Sequence, residues 1–226
     1  STVWKGLLDN ALSNYPDLKF ALQGGDLVNV TTDVSQWEQF FNTETGMFDR
    51  IPFMPAMGNH EFDDTSIYLK SFDLPQNGPV GLKEHHYSFD YGNAHFVVLD
   101  SNLMGSEGEL SAAGLSWLAN DLQNSAKKWK FVMFHHPPYG VDSRDVTQGN
   151  LVKASWVPIM ESNGVDMVFV AHQHVYMRTY PICDGEIQEK PSQGITYVLG
   201  DASNKTYLKS ETHDYIAVEK YGTDAT

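Results

Sequence analysis

Two periods of apolar residues run through the chain. Trp4, Leu7, Leu8, Ala11 and Leu12 fall at i, i+3, i+4, i+7 and i+8, which predicts a helix with one buried face, and Tyr15-Pro16-Asp17 ends it. Residues 20–23 then predict a short buried strand running into Gly24-Gly25-Asp26. A second helical stretch surrounds Trp37, Phe40 and Phe41, and 51–57 predict a strand that stops at Gly58-Asn59-His60-Glu61. Alternation over 87–90 and 94–99, around a turn at Tyr91-Gly92-Asn93, predicts a β-hairpin. A helix over 111–125, carrying Leu115, Leu118 and Leu122, leads to a strand at 130–134 that ends in His135-His136-Pro137-Pro138. The same order repeats: a helical stretch over 151–162, interrupted by Pro158, then a strand at 166–171 ending in His172-Gln173-His174. One more strand, 195–199, runs into Gly200-Asp201.

This order of elements predicts an α/β protein in a single domain spanning 1–226, with no linker or repeat to divide it. Four apolar strands end in polar clusters: Asp26, then Asn59 and His60, then His135 and His136, then His172 and His174. Open α/β sheets bind ligands outside the carboxyl ends of their strands, so these dispersed residues are expected to converge there. If 172–174 are extended, alternate side chains share a side and His172 and His174 can meet one metal pair together.

Composition narrows the chemistry. Of the 226 residues, 41% are hydrophobic and 12% aromatic, which excludes a disordered chain. Lys plus Arg is 15 against 29 for Asp plus Glu, a net charge of -14, and Arg50, Arg144 and Arg178 are the sole guanidinium groups. Nucleic-acid backbone binding by a basic face is therefore not expected. No apolar run approaches the ~20 residues of a membrane span, and the opening residues lack the pattern of a signal or transit peptide. One cysteine excludes an internal disulfide framework and a Cys-rich zinc site. A carboxylate, a carboxamide oxygen and several imidazoles instead form an oxygen and nitrogen set suited to Zn, Fe or Mn. Blander roles remain open for individual residues. Asp26 alone could cap a helix or turn, His136 could be a buried structural histidine, and His85 and His86 could be surface or packing residues. His95, inside a hairpin strand, reads as a hydrogen-bonded core residue, and Arg178 as the partner of an acid.

Gly-Gly-Asp at 24–26, Gly-Asn-His-Glu at 58–61, Val-x-x-His at 132–135 and His-x-His at 172–174 resemble, in order and spacing, the calcineurin-like metallophosphoesterases. Within that superfamily the stretches 87–96, 174–181 and 194–199 are most similar to bacterial relatives of the purple acid phosphatases. The resemblance implies a four-layer α/β/β/α sandwich and a phosphoesterase using two divalent or trivalent transition metal ions, Zn, Mn or Fe. By position, Asp26 would bridge both metals, Asn59, His135 and His172 would hold the second, and His174 the first. His60 would be the outer-sphere histidine that protonates the leaving oxygen, and His136 a cleft residue touching substrate. A bridging hydroxide would attack a small phosphorylated substrate. A phosphodiesterase or nucleotide hydrolase, and a non-catalytic binding domain of the same fold, are the alternatives. Likeness to extracellular acid phosphatases implies a secreted or envelope location.

Two departures from the family pattern carry expectations of their own. The chain opens on its first helix, without the Asp-x-Gly or Asp-x-His strand that supplies a ligand to the first metal, so an N-terminally trimmed domain lacking its first strand is expected. Asn29 stands where purple acid phosphatases carry the tyrosinate bound to ferric iron, so a purple colour is not expected.

Overall fold

The computed structural model describes residues 2–43, 45–103, 108–142, 146–200, 205 and 212–221; Arg144 and Asp201 lie outside these. In chain order the elements are α1 (Thr2–Asn14), β1 (Ala21–Gln23), α2 (Val34–Thr43), α3 (Thr45–Phe48), β2 (Phe53–Pro55), α4 (Asn59–Phe62), α5 (Ser66–Ser71), β3 (Tyr87–Tyr91) and β4 (Ala94–Val98). There follow α6 (Gly108–Asn124), β5 (Trp129–Met133), α7 (Thr147–Ser155), α8 (Val157–Ser162), β6 (Met167–Val170), β7 (Tyr176–Thr179), β8 (Ile182–Cys183), β9 (Glu186–Ile187), β10 (Thr196–Leu199) and β11 (Ile216–Lys220).

The large sheet has the order β11-β7-β10-β6-β5-β4-β3, and a small one pairs β1 with β2 in parallel. At the centre, β4, β5, β6 and β10 run parallel, so their carboxyl ends share one edge, while β3, β7 and β11 are antiparallel to their neighbours. The side-chain period of a strand divides the large sheet between two cores. Val97, Leu99, Val132, Phe134, Val168 and Val170 face one core with Leu118 and Leu122 of α6, Val152 of α7 and Met160 of α8. Val98 and Met133 face the other, with Phe53 of β2, Trp37 and Phe40 of α2, and the apolar stripe of α1. Both faces are thus covered and the layers run α, β, β, α, the four-layer sandwich that the resemblance implies. Each fully buried Leu or Phe contributes roughly 1.5–3 kcal/mol relative to exposure, so the sheet edge carrying the polar clusters is rigidly supported.

The helical stretch expected over 151–162 divides into α7 and α8, and Pro158 enters α8 in its first turn, where its missing N–H costs no intrahelical bond. The strand expected at 51–57 shortens to Phe53–Pro55. Strand β11 was not expected from the pattern, because a bulge between Ile216 and Val218 breaks its alternation. Arg178 lies on the exposed face of β7, opposite the buried Met177 and Thr179, and lines no part of the cleft described next. No helix among the described residues is long and apolar enough to cross a membrane.

Candidate metal centre

A cleft of about 940 Å³ opens where strand ends of the two sheets meet, and Asp26, His60, His135, His172 and His174 line it. Two backbone devices bring the sheets together here. Gly25 has φ 102°, and a Cβ there would lie 2.5 Å from Gly58 N and 2.8 Å from His135 Nδ1. Gly58 itself abuts Asp26, where a Cβ would fall 2.2 Å from both its N and Oδ1. Glycine is required at both points by close approach. The pairing of β5 with β6 continues past the strands through Ala171 N–H to His135 O (3.0 Å), which sets His135 beside His172.

Asp26 (φ 58°) and His172 (φ 70°) are non-glycine residues in the left-handed region, each at a cost of about 1–3 kcal/mol. The His-Gln-His segment is accordingly not extended. Gln173 N–H bonds Ala171 O (2.8 Å) and Val175 N–H bonds Gln173 O (2.7 Å), a run of tight turns. His172 and His174 still both line the cleft, but through this curled backbone rather than strand alternation.

The polar atoms converge closely. His135 Nδ1 lies 2.7 Å from Gly24 O and donates to it, so in the neutral ring Nε2 carries the lone pair. That nitrogen faces Asn59 Oδ1 at 3.1 Å, His172 Nδ1 at 3.1 Å and Asp26 Oδ2 at 3.2 Å, and His172 Nδ1 is 3.0 Å from Asn59 Oδ1. Four polar side chains from separate loops thus converge on one point, an arrangement that suits a cation. The donor types, one carboxylate, one amide oxygen and imidazole nitrogens, fit Zn, Mn or Fe. Electrostatics agree: burial opposes a charge on His135, yet Asp26, the Gly24 carbonyl and Glu61 together raise its pKa. Burial likewise works to raise the Asp26 carboxyl, but His135 and then His60 hold it well below the usual carboxylate range.

His60 donates its backbone N–H to Asp26 Oδ1 (3.1 Å) and pairs its Nδ1 with Asn29 O (2.8 Å), leaving Nε2 as its basic nitrogen. His174 lines the cleft outside the tightest group, which among the described residues is His135, His136 and His172, with ligand atoms all within 4.8 Å. His136 is only 5% exposed and is not among the residues lining the cleft. Its Nδ1 pairs with Ser101 Oγ (2.7 Å), and burial followed by the charges of His135 and His172 lowers its pKa to about 2, keeping it neutral.

Supporting residues went unread in the sequence. Asn102 Nδ2 donates to Gly58 O (3.1 Å), and Gln173 Oε1 accepts the N–H groups of Val141 (2.7 Å) and Asp142 (3.1 Å). Glu61 accepts N–H groups from both ligand loops. For Glu61 a signal existed, a glutamate three residues after Gly58, which caps the start of α4. The others depend on contacts distant in sequence.

The Calcineurin-like phosphoesterase family matches residues 3–176, and the chain belongs to that family. Purple acid phosphatase 18 of Arabidopsis thaliana is 25% identical over 221 residues, 92% of this chain and 49% of the relative. The chain thus spans about half the length of that curated relative. Among solved structures it is similar to the purple acid phosphatase PPD1 from yellow lupin seeds, with a TM-score of 0.82 and 17% identity over 97% of this chain and 43% of that one. It is also similar to GAP50, the anchor in the inner membrane complex of Plasmodium, with a TM-score of 0.72 and 12% identity over 96% of this chain and 72% of that one.

Proposed function

We propose that this chain carries the metal centre of a phosphoesterase that hydrolyses a small phosphorylated substrate, in a secreted or envelope setting. Two transition metal ions, Zn, Mn or Fe, would be held by Asp26 as the shared ligand, by Asn59, His135 and His172, and by His174. The observation that carries the reading is the convergence of Asn59 Oδ1, His172 Nδ1 and Asp26 Oδ2 on His135 Nε2 at 3.1–3.2 Å. When bound, such ions supply Lewis acidity toward phosphoryl oxygens and an acidified water.

The chain's own residues do the rest. Gly24 O fixes the tautomer of His135 so that Nε2 faces the ligand cluster. Asn29 O fixes His60 in the same manner, so a protonated His60 would carry its labile proton on Nε2, for delivery to the leaving oxygen. Asp26 Oδ1 holds the His60 backbone and so ties the proton donor to the ligand loop. Lys205 lines the cleft and places a cation near an anionic substrate on a chain of net charge -14.

A second reading, a binding domain without catalysis, is favoured by the likeness to an anchor protein. Hydrolysis of p-nitrophenyl phosphate and bis(p-nitrophenyl) phosphate, with Zn2+ or Mn2+ added, tests both. Metal-dependent turnover is expected, with His60→Ala lowering kcat by about a hundredfold or more at unchanged metal content. The relative rates on the two esters separate a monoesterase from a diesterase. Absence of turnover on either ester at full metal occupancy would leave the binding reading standing instead.

A further inference from the structure

Glu61 closes the Gly-Asn-His-Glu stretch, and its side chain is fully buried, at 0% exposure. Its Oε2 accepts the N–H groups of Asp26 (2.8 Å) and Gly58 (2.9 Å), and its Oε1 that of Val28 (3.2 Å). The ion pairs among the described residues do not include it. A buried carboxylate is costly unless a nearby positive charge or several hydrogen bonds compensate it. The contacts here are also reciprocal across the two loops. Asp26 gives its N–H to Glu61, and takes at Oδ1 the N–H of His60, the residue preceding Glu61.

We infer that Glu61 is a positioning residue of the metal centre: its side chain ties the loop after β1 to the loop after β2 and holds Asp26 in its left-handed backbone. The inference rests on the metal-centre reading above. From the held conformation the two Asp26 oxygens reach the His60 N–H and His135 Nε2 separately. Freed from Glu61, Asp26 would relax toward ordinary φ values, and its carboxylate would leave the point where Asn59, His135 and His172 converge. Glutamine cannot substitute fully, because its amide nitrogen would face an N–H donor at one of the three positions. Aspartate keeps the charge but is one methylene too short to serve both loops.

The discriminating measurement is the affinity of the metal-free protein for Zn2+ by competition titration, together with the visible absorption of the Co2+ form. Glu61→Gln is expected to bind Zn2+ at least about tenfold more weakly, with an altered Co2+ band, while still unfolding in one cooperative step. A merely structural role would lower stability and leave the Co2+ band as it is. His135→Ala serves as the control. If it weakens Zn2+ binding while Glu61→Gln keeps the parent affinity and the parent Co2+ band, the positioning role is overturned and the metal centre stands. If His135→Ala also binds as the parent does, the metal reading falls and this inference with it. Should Glu61→Gln not fold, Glu61→Asp decides: weaker binding with an altered band supports the role, and parent affinity overturns it.

Discussion

Two clusters of histidine and carboxylate stand in this molecule, and they differ in how many donor atoms close on one ring nitrogen. His95 is held between Asp90 Oδ1 and Asp121 Oδ2, each 2.8 Å from its own ring nitrogen, while Ser88 Oγ donates to Asp121 Oδ1 (2.9 Å) and Lys127 Nζ stands 3.5 Å from Asp90 Oδ2. Each ring nitrogen thus meets a single carboxylate. His135 spends one N–H on Gly24 O and turns the other nitrogen toward three polar atoms, Asn59 Oδ1, His172 Nδ1 and Asp26 Oδ2. Both histidines are buried, at 7% and 1% exposure, and both touch a carboxylate, so neither burial nor neighbours alone tells a ligand from a structural residue. The number of donor atoms closing on one ring nitrogen does, because a convergence of oxygen and nitrogen donors on one point suits a cation.

The largest effect that separates the clusters is on metal affinity. His135→Ala should weaken Zn2+ binding by about a hundredfold or more, whereas His95→Ala should leave it unchanged, as titration of the metal-free proteins would show. Equal losses in the two variants would erase the distinction. Next in size is stability without metal. Replacing His95 leaves Asp121 partly buried without its strongest partner, so His95→Phe should lower the unfolding free energy by about 1–3 kcal/mol in urea titrations. His135→Ala should cost less than that, because it relieves acceptor crowding as it removes a side chain. A greater loss in His135→Ala would mean that the ligand cluster, too, is built for stability.

The smallest effect is a dependence on pH. Burial acts to lower the pKa of His95, but the hydrogen bonds and charges of Asp121 and Asp90 outweigh it and raise the pKa above the usual 6.5. A raised histidine pKa stabilises the folded state fully below the unfolded value, and that stabilisation is lost as pH rises through the folded value. The stability gap between the parent and His95→Phe should therefore be widest below about pH 6.5 and narrow as pH increases. Asp26, with its pKa lowered from 3.8, behaves in the opposite sense: its contribution is present above that value and disappears as pH falls. A gap at His95 that stays constant with pH would show that its pKa is not shifted by folding.

Much of the fold and part of the centre are legible in the residues themselves. The apolar runs at 130–134 and 166–171, with the helical stripes before them, mark the central strands, and the polar residues that follow mark the edge where they end. Asp26, His60, His135, His172 and His174, read from those strand ends, all line one cleft. Such features are local: a strand's period and its stop signal lie within a few residues of each other. His136 shows the limit. Its place beside His135 suggested a cleft residue, and only the packing of Ser101 and His172 against it shows a buried ring. The left-handed backbone at Asp26 and His172, the grip of Glu61 on two loops and the two carboxylates around His95 were likewise decided by tertiary structure alone. In each the partners are brought together by sheet pairing and core packing, and whether a buried polar atom ends up with one partner or several is settled only once those surfaces meet.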